Sequence, residues 1–292
     1  MPRIVCIGEV LWDVFPKHKK IGGAPLNVAL RMKSLGIDAQ IISKVGNDSL
    51  GDEIISFIEQ HGIEPCLIQT GAIYPTGQVN VMLNDKGSAS YDIKYPVTWD
   101  KIVATAQNKK AVASADVFVF GSLVCRDEVS RTALFELLEQ SSFSVFDVNL
   151  RPPHYSPELL EALMKKADFI KFNDDELFEI AAYLGSPHNY LEQNIRYVAE
   201  KTKTKQICVT KGRHGAVYFD NGKMYYNTGF KIDVLDTVGA GDSFLASLIA
   251  KLLLGESPQY AIDFACSMGA LVAQSEGPNP TIQVQDVLDF MA

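Results

Sequence analysis

Asp236-Thr237-Val238-Gly239-Ala240-Gly241-Asp242 joins two runs of opposite habit. Before it, 230–235 (FKIDVL) reads as a short strand; after it, 243–254 (SFLASLIAKLLL) is an apolar, helix-forming run. Gly239, Ala240 and Gly241 carry almost no side chain, so a ligand can come close to the backbone N–H groups. At a helix start four such donors lack internal partners and the dipole favours negative charge, which makes the turn an anion site. Asp242 is the anomaly, because a carboxylate is the wrong partner for a phosphate. Two readings stand. Asp242 caps the helix, as Asp commonly does, or it takes a proton while the neighbouring N–H groups hold developing negative charge.

Outward from this turn, helices and strands alternate from residue 100 onward. Helices are expected at 100–113, 127–140, 157–166, 174–184 and 190–201, and strands at 117–120, 144–148, 169–172 and 206–210. The runs 117–120 (VFVF) and 207–209 (ICV) are continuously apolar, as in parallel strands covered on both faces. A hairpin turns at Asn221-Gly222, and helices close the chain at 258–274 and 284–291. Toward the N-terminus, a strand at 3–7 leads into alternating residues at 9–15; Gly22-Gly23 breaks the chain before a helix from Pro25 to Leu35. A strand at 39–45, a helix at 49–61 and a hairpin of 76–84 with 88–94 around Asn84-Asp85-Lys86-Gly87 follow. Within that hairpin Gln78 and Asn80 share one face; Val79, Val81 and Leu83 share the other.

The pattern predicts one domain over 1–292, a three-layer α/β/α fold with a mostly parallel central sheet. The early alternating strands do not fit that core and predict a small β-sheet lid from about 12–20 and 73–96. Ligands of such sheets sit beyond the carboxyl ends of the strands. Asp147-Val148-Asn149, Asn173, Thr210-Lys211-Gly212 and 236–242 all fall there.

Composition narrows the function. The 292 residues are 47% hydrophobic and 21% charged, with a net charge of −8 and no basic block beyond 17–20, which argues against a nucleic-acid or membrane surface. Five widely spaced cysteines without a C-x-x-C, and five histidines without an H-x-x-H, argue against a zinc site. Cys6 and Cys208 sit in apolar runs and are expected in the core. No leader or membrane-spanning run is expected, and the compartment predicted is reducing cytoplasm. Neither G-x-x-x-x-G-K-[ST] nor G-x-G-x-x-G occurs; the first strand is followed by Ile7-Gly8-Glu9-Val10.

Four more segments carry paired readings. Gly22-Gly23-Ala24-Pro25-Leu26-Asn27 permits close backbone approach to a ligand, or is a tight turn with Asn27 bonded to backbone. Asp13, between Trp12 and Val14, accepts polyol hydroxyls or is a surface acid. Asn173 and Glu176 form a capping-box-like pair, or hold Mg²⁺ through waters. Arg151 steadies a phosphate or bridges to Asp147, and the loop 210–215 covers a nucleotide or merely enters a hairpin, with His214 expected at the surface.

Together these segments resemble the ribokinase-like sugar kinases, also called the phosphofructokinase B family. Gly22-Gly23…Asn27-Val28-Ala29 is similar to the family's first signature, 236–242 to its second, and Asn173-x-x-Glu176 to its metal-associated motif. Order and spacing agree over nearly all the chain; Ser247, where the family usually has Gly or Ala, is a small departure. The resemblance implies that Asp242 is the catalytic base for a sugar hydroxyl and that Gly239, Ala240 and Gly241 form the anion hole. It implies sugar contacts from Asp13, Gly23 and Asn27, to which Gln78, Asn80 and Arg151 are added. Thr210, Lys211, Gly212 and Gly215 would lie near ATP, with adenine against the C-terminal helices. Asn173 and Glu176 would serve Mg²⁺, and Asp236 is the K⁺ candidate, since some members bind a monovalent cation there. In the family the lid closes over the sugar and often supplies a homodimer contact.

Gly8-Glu9-Val10-Leu11-Trp12-Asp13 and Asp147-x-Asn149-x-Arg151-Pro152 look most like bacterial fructokinases, implying conversion of D-fructose to fructose 6-phosphate. The alternatives are 2-keto-3-deoxygluconate, ribose or a nucleoside; Lys17, Lys19 and Lys20 keep a phosphorylated sugar open. A non-catalytic sugar or nucleotide sensor is the reading from another class, and the retained Asp242 and Gly-Ala-Gly loop argue against it. An NAD-linked oxidoreductase is disfavoured by the missing fingerprint.

Overall fold

The computed structural model describes residues 1–16, 18–83 and 89–292. In chain order its strands are β1 (Arg3–Ile7), β2 (Leu11–Val14), β3 (Lys19–Gly22), β4 (Asp38–Gly46), β5 (Ile68–Gly71), β6 (Gly77–Leu83), β7 (Ala89–Ile93), β8 (Val117–Gly121), β9 (Ser144–Asp147), β10 (Phe169–Asn173), β11 (Gln206–Thr210), β12 (Ala216–Asp220) and β13 (Lys223–Asn227). The helices are α1 (Ala24–Ser34), α2 (Ser49–Gln60), α3 (Ala106–Ala113), α4 (Glu128–Leu138), α5 (Pro157–Met164), α6 (Asp174–Tyr183), α7 (Leu191–Thr202), α8 (Ala240–Leu253), α9 (Pro258–Ala273) and α10 (Val284–Met291). The turn expected at Asn84-Asp85-Lys86-Gly87 lies outside the described residues, as does Lys17.

Nine strands form the central sheet in the order β13-β12-β11-β10-β9-β8-β1-β4-β5. All neighbours are parallel from β5 through β11; β12 and β13 add an antiparallel edge. Successive side chains leave a strand on opposite faces, and here both faces are covered. Val5, Ile7, Phe118, Phe120, Ile170 and Phe172 pack with Leu134, Leu160 and Ile180 of α4, α5 and α6. Ile4, Cys6, Val117, Val119, Phe169 and Cys208 pack on the other side with Leu30, Leu248 and Ile262 of α1, α8 and α9. That alternation is why the strand runs read as unbroken apolar stretches, and it yields the three layers expected.

A second sheet, ordered β3-β2-β6-β7, is the lid. It starts at Leu11 and its second strand ends at Gly22, a little outside the expected 12–20, because Leu11 pairs with Gly22. The register sets Asp13 beside Lys20 and Val79, and Trp12 and Val14 beside Gln78 and Asn80. Asp13 therefore shares its face with Val79, while Gln78 and Asn80 take the opposite face.

Two expected elements form differently. The helix expected over 100–113 divides into a 3₁₀ turn at Thr98–Lys101 and α3, because Asp100 turns inward to bond the Val97 N–H and Arg126 while Thr105 caps the following helix. The strand expected over 230–235 is absent. No neighbouring strand offers this segment a ladder; instead Leu235 and Asp236 donate their N–H groups to the carbonyl of Ala273, at the end of α9. Val234 and Leu235 stand 58% and 67% exposed, so the β-prone run FKIDVL is a loop edging a cleft. Among the described residues no helix is long and apolar enough to cross a membrane.

Candidate active site

The first turn of α8 decides between the two readings of Asp242. Gly239, at φ 76°, occupies the N-cap and makes no side-chain cap. A Cβ there would lie 2.6 Å from the Cα of Pro278, so only glycine fits both the conformation and the space. Asp242 is thus the third helical residue, and its carboxylate bonds no helix N–H. Its Oδ2 instead accepts from Asn27 Nδ2 at 2.8 Å. The helix-cap reading is corrected. Among the described residues, the N–H groups of Gly241 and Asp242 meet no acceptor, which leaves them open to an anion.

Asn27 comes from the first turn of α1 and is 4% exposed. Its Oδ1 accepts from Asn279 Nδ2 at 2.8 Å, which fixes the amide so that its nitrogen faces Asp242. Gly23, at φ 117°, lets α1 begin against the strand exit; a Cβ there would collide with the carbonyl oxygen of Glu9. Glu9, which sequence reasoning passed over, is buried and accepts from the N–H of Ala24 at 3.3 Å. Burial pushes its pKa up to about 7.

Burial also pushes Asp242 up to about 6, with the charge of Asp147 adding to the rise and Asn27, Lys171 and Arg151 opposing it. Asp13 rises to about 6 for the same first reason, lowered by Arg151 and raised by Asp242. Arg151 thus acts on both Asp13 of the lid and Asp242, and Asp242 acts on Asp13. Gln78 and Asn80 are not brought there: they lie on the far face of the lid from Asp13, and Asn80 donates to Asp92 at 3.4 Å. The expectation that they touch sugar alongside Asp13 is corrected by the strand register.

Arg151 makes no bridge to Asp147. It is exposed, and its Nη1 donates to the carbonyl of Leu150. Lys171 of β10 takes the place expected for it, with Nζ 3.0 Å from Asp147 Oδ1. The only sequence signal for Lys171 is a charge inside an otherwise apolar strand, which burial makes too costly without a partner. Asn173 and Glu176 form the capping box: Asn173 Oδ1 accepts from the Glu176 N–H and Glu176 Oε2 from the Asn173 N–H, each at 2.8 Å. Glu176 Oε1 accepts from the N–H of Leu150, which ties the strand-end loop to α6. Asp236 bridges the loop instead of facing outward, accepting from the N–H groups of Val238 and Gly277.

Beyond α8 a cleft of about 750 Å³ opens, lined by Thr210, Gly212, Gly215, Thr228, Gly241 and Gly269 among others. Gly212 and Gly215 of the loop after β11 and Gly269, Ala270 and Ala273 of α9 are among its lining. Gly215 must be glycine, since a Cβ at its φ of 77° would strike the Asn227 carbonyl. Lys211 does not line the cleft; its N–H bonds the Gly215 carbonyl and closes the loop. His214, expected at the surface, is exposed at the rim. Open amides at a helix start therefore lie between this long cleft, which suits a flat ring and a chain of anionic groups, and the Asn27–Asp242 contact; a smaller pocket nearby is lined by Glu9, Asp147, Asn149 and Arg151 among others.

Residues 1–284 match the profile of the pfkB family carbohydrate kinases. The chain is similar to fructokinase-2 of Zea mays, 28% identical over 96% of this chain and 90% of that protein. It is similar to a sugar kinase of Pyrococcus horikoshii, 28% identical over 98% of this chain and 95% of that one. The solved structure of the latter in complex with ATP superposes with a TM-score of 0.84 at 26% identity, covering 98% of this chain and 97% of that chain. A fructokinase of Xylella fastidiosa with bound ATP shares the fold at a TM-score of 0.89 and 20% identity, covering 99% of this chain and 98% of that one. The glycine turn into α8 at 236–242, the Gly22–Asn27 bend and the match over nearly the whole length lead to one statement: the chain belongs to the pfkB family of carbohydrate kinases.

Proposed function

We propose that this kinase transfers the γ-phosphoryl group of ATP to the primary hydroxyl of an unphosphorylated sugar, D-fructose, giving fructose 6-phosphate. The observation that carries this reading is the Asn27–Asp242 hydrogen bond at the mouth of open helix amides. Asp242 orients the sugar hydroxyl and receives its proton; the hydroxyl oxygen bonds to the γ-phosphorus as the β–γ bridge breaks and ADP leaves. The transition state is loose, so positioning and charge do most of the work. With its pKa pushed up to about 6, Asp242 is still a carboxylate at neutral pH yet a better proton acceptor than an ordinary aspartate. The amides of Gly241 and Asp242 stabilise charge on the phosphoryl oxygens. Asp13, Gly23, Asn27 and Arg151 would bound the sugar, and Thr210, Gly212 and Gly215 the nucleotide.

Mg²⁺ fits the site only at one remove. Each Glu176 oxygen already accepts a backbone N–H, so Asn173 and Glu176 would hold a metal through its water shell, where it neutralises phosphate charge. Asp236, with both oxygens on backbone N–H groups, is the residue nearest to a K⁺ role. Fructose is favoured over ribose, 2-keto-3-deoxygluconate or a nucleoside by the fructokinases among the relatives.

ADP release with MgATP across those four acceptors tests the reading. Fructose should give the highest kcat/KM, and Asp242→Ala should lose about 10²–10⁴-fold in kcat while still binding ATP. A different best sugar would overturn the fructose assignment; near-normal turnover of Asp242→Ala would overturn the proton acceptor.

A further inference from the structure

Lys171 occupies a position that the sheet reserves for apolar side chains. Its neighbour two residues earlier, Phe169, and its register partner on β11, Cys208, both belong to the core layer under α1, α8 and α9. Lys171 is 7% exposed, and Asp147, its register partner on β9, is 5% exposed. The side chain therefore runs under the start of α8. A Cβ built on Gly241 would stand 3.4 Å from the ammonium nitrogen, so nothing separates the charge from the backbone of the anion hole.

The pair is incomplete as a structural device. An ammonium has three donors, and Asp147 Oδ1 is its one hydrogen-bond acceptor among the described residues. Asp147 Oδ2 is buried and has no hydrogen-bond partner among the described residues. Buried ion pairs that serve stability need their remaining donors and acceptors filled. Here they stay free at the junction between the nucleotide cleft and Asp242, as expected if the missing partners arrive with the substrates. Three carboxylates surround the ammonium from every charged element packed on it: Asp147 of β9, Glu176 of α6 and Asp242 of α8.

We propose that Lys171 is a fixed cation of the phosphoryl-transfer site, held by Asp147 beneath Gly241 so that its charge bears on the PO₃ group in transit. This rests on the kinase reading above. Lys171 neither gains nor loses a proton in the step: the hydroxyl proton goes to Asp242, and the ammonium supplies charge that the amides cannot. Asp147 sets the ammonium's position and leaves Oδ2 as an acceptor for a substrate hydroxyl or water.

The test uses the full-length enzyme with MgATP and whichever sugar the wild type turns over fastest, so an error about fructose leaves it intact. Lys171→Met should lose about 100-fold or more in kcat, as when a hole donor is removed, with KM for the sugar within about threefold. Lys171→Arg keeps the ion pair but sets a bulkier head against Gly241, and should fall between the two. The double variant Lys171→Met/Asp147→Asn removes the unpaired buried carboxylate; it should fold, judged by circular dichroism and melting, and stay as slow as Lys171→Met. The acid limb of kcat should also move to higher pH in Lys171→Met, because Asp242 loses a positive neighbour. Recovery of turnover in the double variant to within about tenfold of wild type would reduce the pair to a fold element and overturn the proposal. A kcat of Lys171→Met within about tenfold of wild type, together with an unmoved acid limb in that variant, would do the same.

Discussion

A carboxylate buried at the start of a helix, with the charge of Asp147 acting on it, holds its proton longer than aspartate does in water. The Asp242 pKa of about 6 has two consequences of definite sign. Proton acceptance needs the ionised form, so log kcat should fall with unit slope below about pH 6, measurable from turnover between pH 5 and 8. Folding should respond in the reverse sense. A carboxyl whose folded pKa is raised binds its proton more tightly in the native state, so its contribution worsens as pH rises from about 4 through 6. Asp242→Asn should therefore melt about 2 °C above wild type at pH 8. That gain should vanish near pH 4, where the wild-type side chain is neutral too. Equal melting at both pH values would contradict the strained-carboxylate picture. That Asp242 and the glycines beside it open a helix was legible in the sequence, because residue type and local order mark a helix start. Asn27 as the partner that aims Asp242 was not, since 215 positions separate the two and only the packing of α1 against α8 joins them. Lys171 was hidden by its surroundings: Phe-Ile-Lys-Phe reads as a strand, and nothing local says that the lysine runs beneath Gly241.

The start of α8 is the element on which the site turns. Gly239 sits at φ 76° with the Pro278 backbone 2.6 Å from where a Cβ would be. Gly239→Ala should cost about 1–3 kcal/mol in denaturant unfolding and lower kcat further than stability requires, because the amides of the first turn move with it. Unfolding within about 0.5 kcal/mol of wild type would mean that Pro278 yields and that the turn is not rigid. The preceding segment is a lesson in what periodicity omits. FKIDVL has strand-forming residues, but a strand needs a neighbour, and β13 is followed by Gly229 and a departure toward α9. Its backbone N–H groups find the end of α9 instead, which bends the chain around the cleft beside α8. Parallel strands such as β8 and β11 were legible for the opposite reason: both flanks are occupied and both faces buried, so apolar composition alone marks them.

At the scale of the molecule, lid and body are joined by ties of unequal worth. Arg126 is the strong one. Its guanidinium grips Asp100 through two bonds of 2.6 and 2.9 Å, donates to the Lys94 carbonyl at the end of the lid's β7, and lies 3.9 Å over the Trp99 ring. Both charged side chains are almost wholly buried. Arg126→Met should cost about 3–5 kcal/mol by stranding Asp100, whereas breaking the solvent-facing Lys20–Glu276 bridge should cost under about 1 kcal/mol. Denaturation of the two variants side by side checks this, and equal losses would refute the ranking. The lid's existence could be read from alternating residues at its strands; its parallel β2–β6 pairing, and with it the face that Gln78 and Asn80 occupy, could not, because register depends on how two distant segments meet. In the proposed reaction all these parts serve one event. It is tested most directly by single-turnover phosphorylation of a saturating sugar in wild type and Asp242→Asn, with ATP affinity measured in parallel. The expected result is a rate at least about 100-fold lower in Asp242→Asn with ATP binding within about threefold. A rate near wild type would contradict proton acceptance by Asp242, and with it the central role assigned to the start of α8.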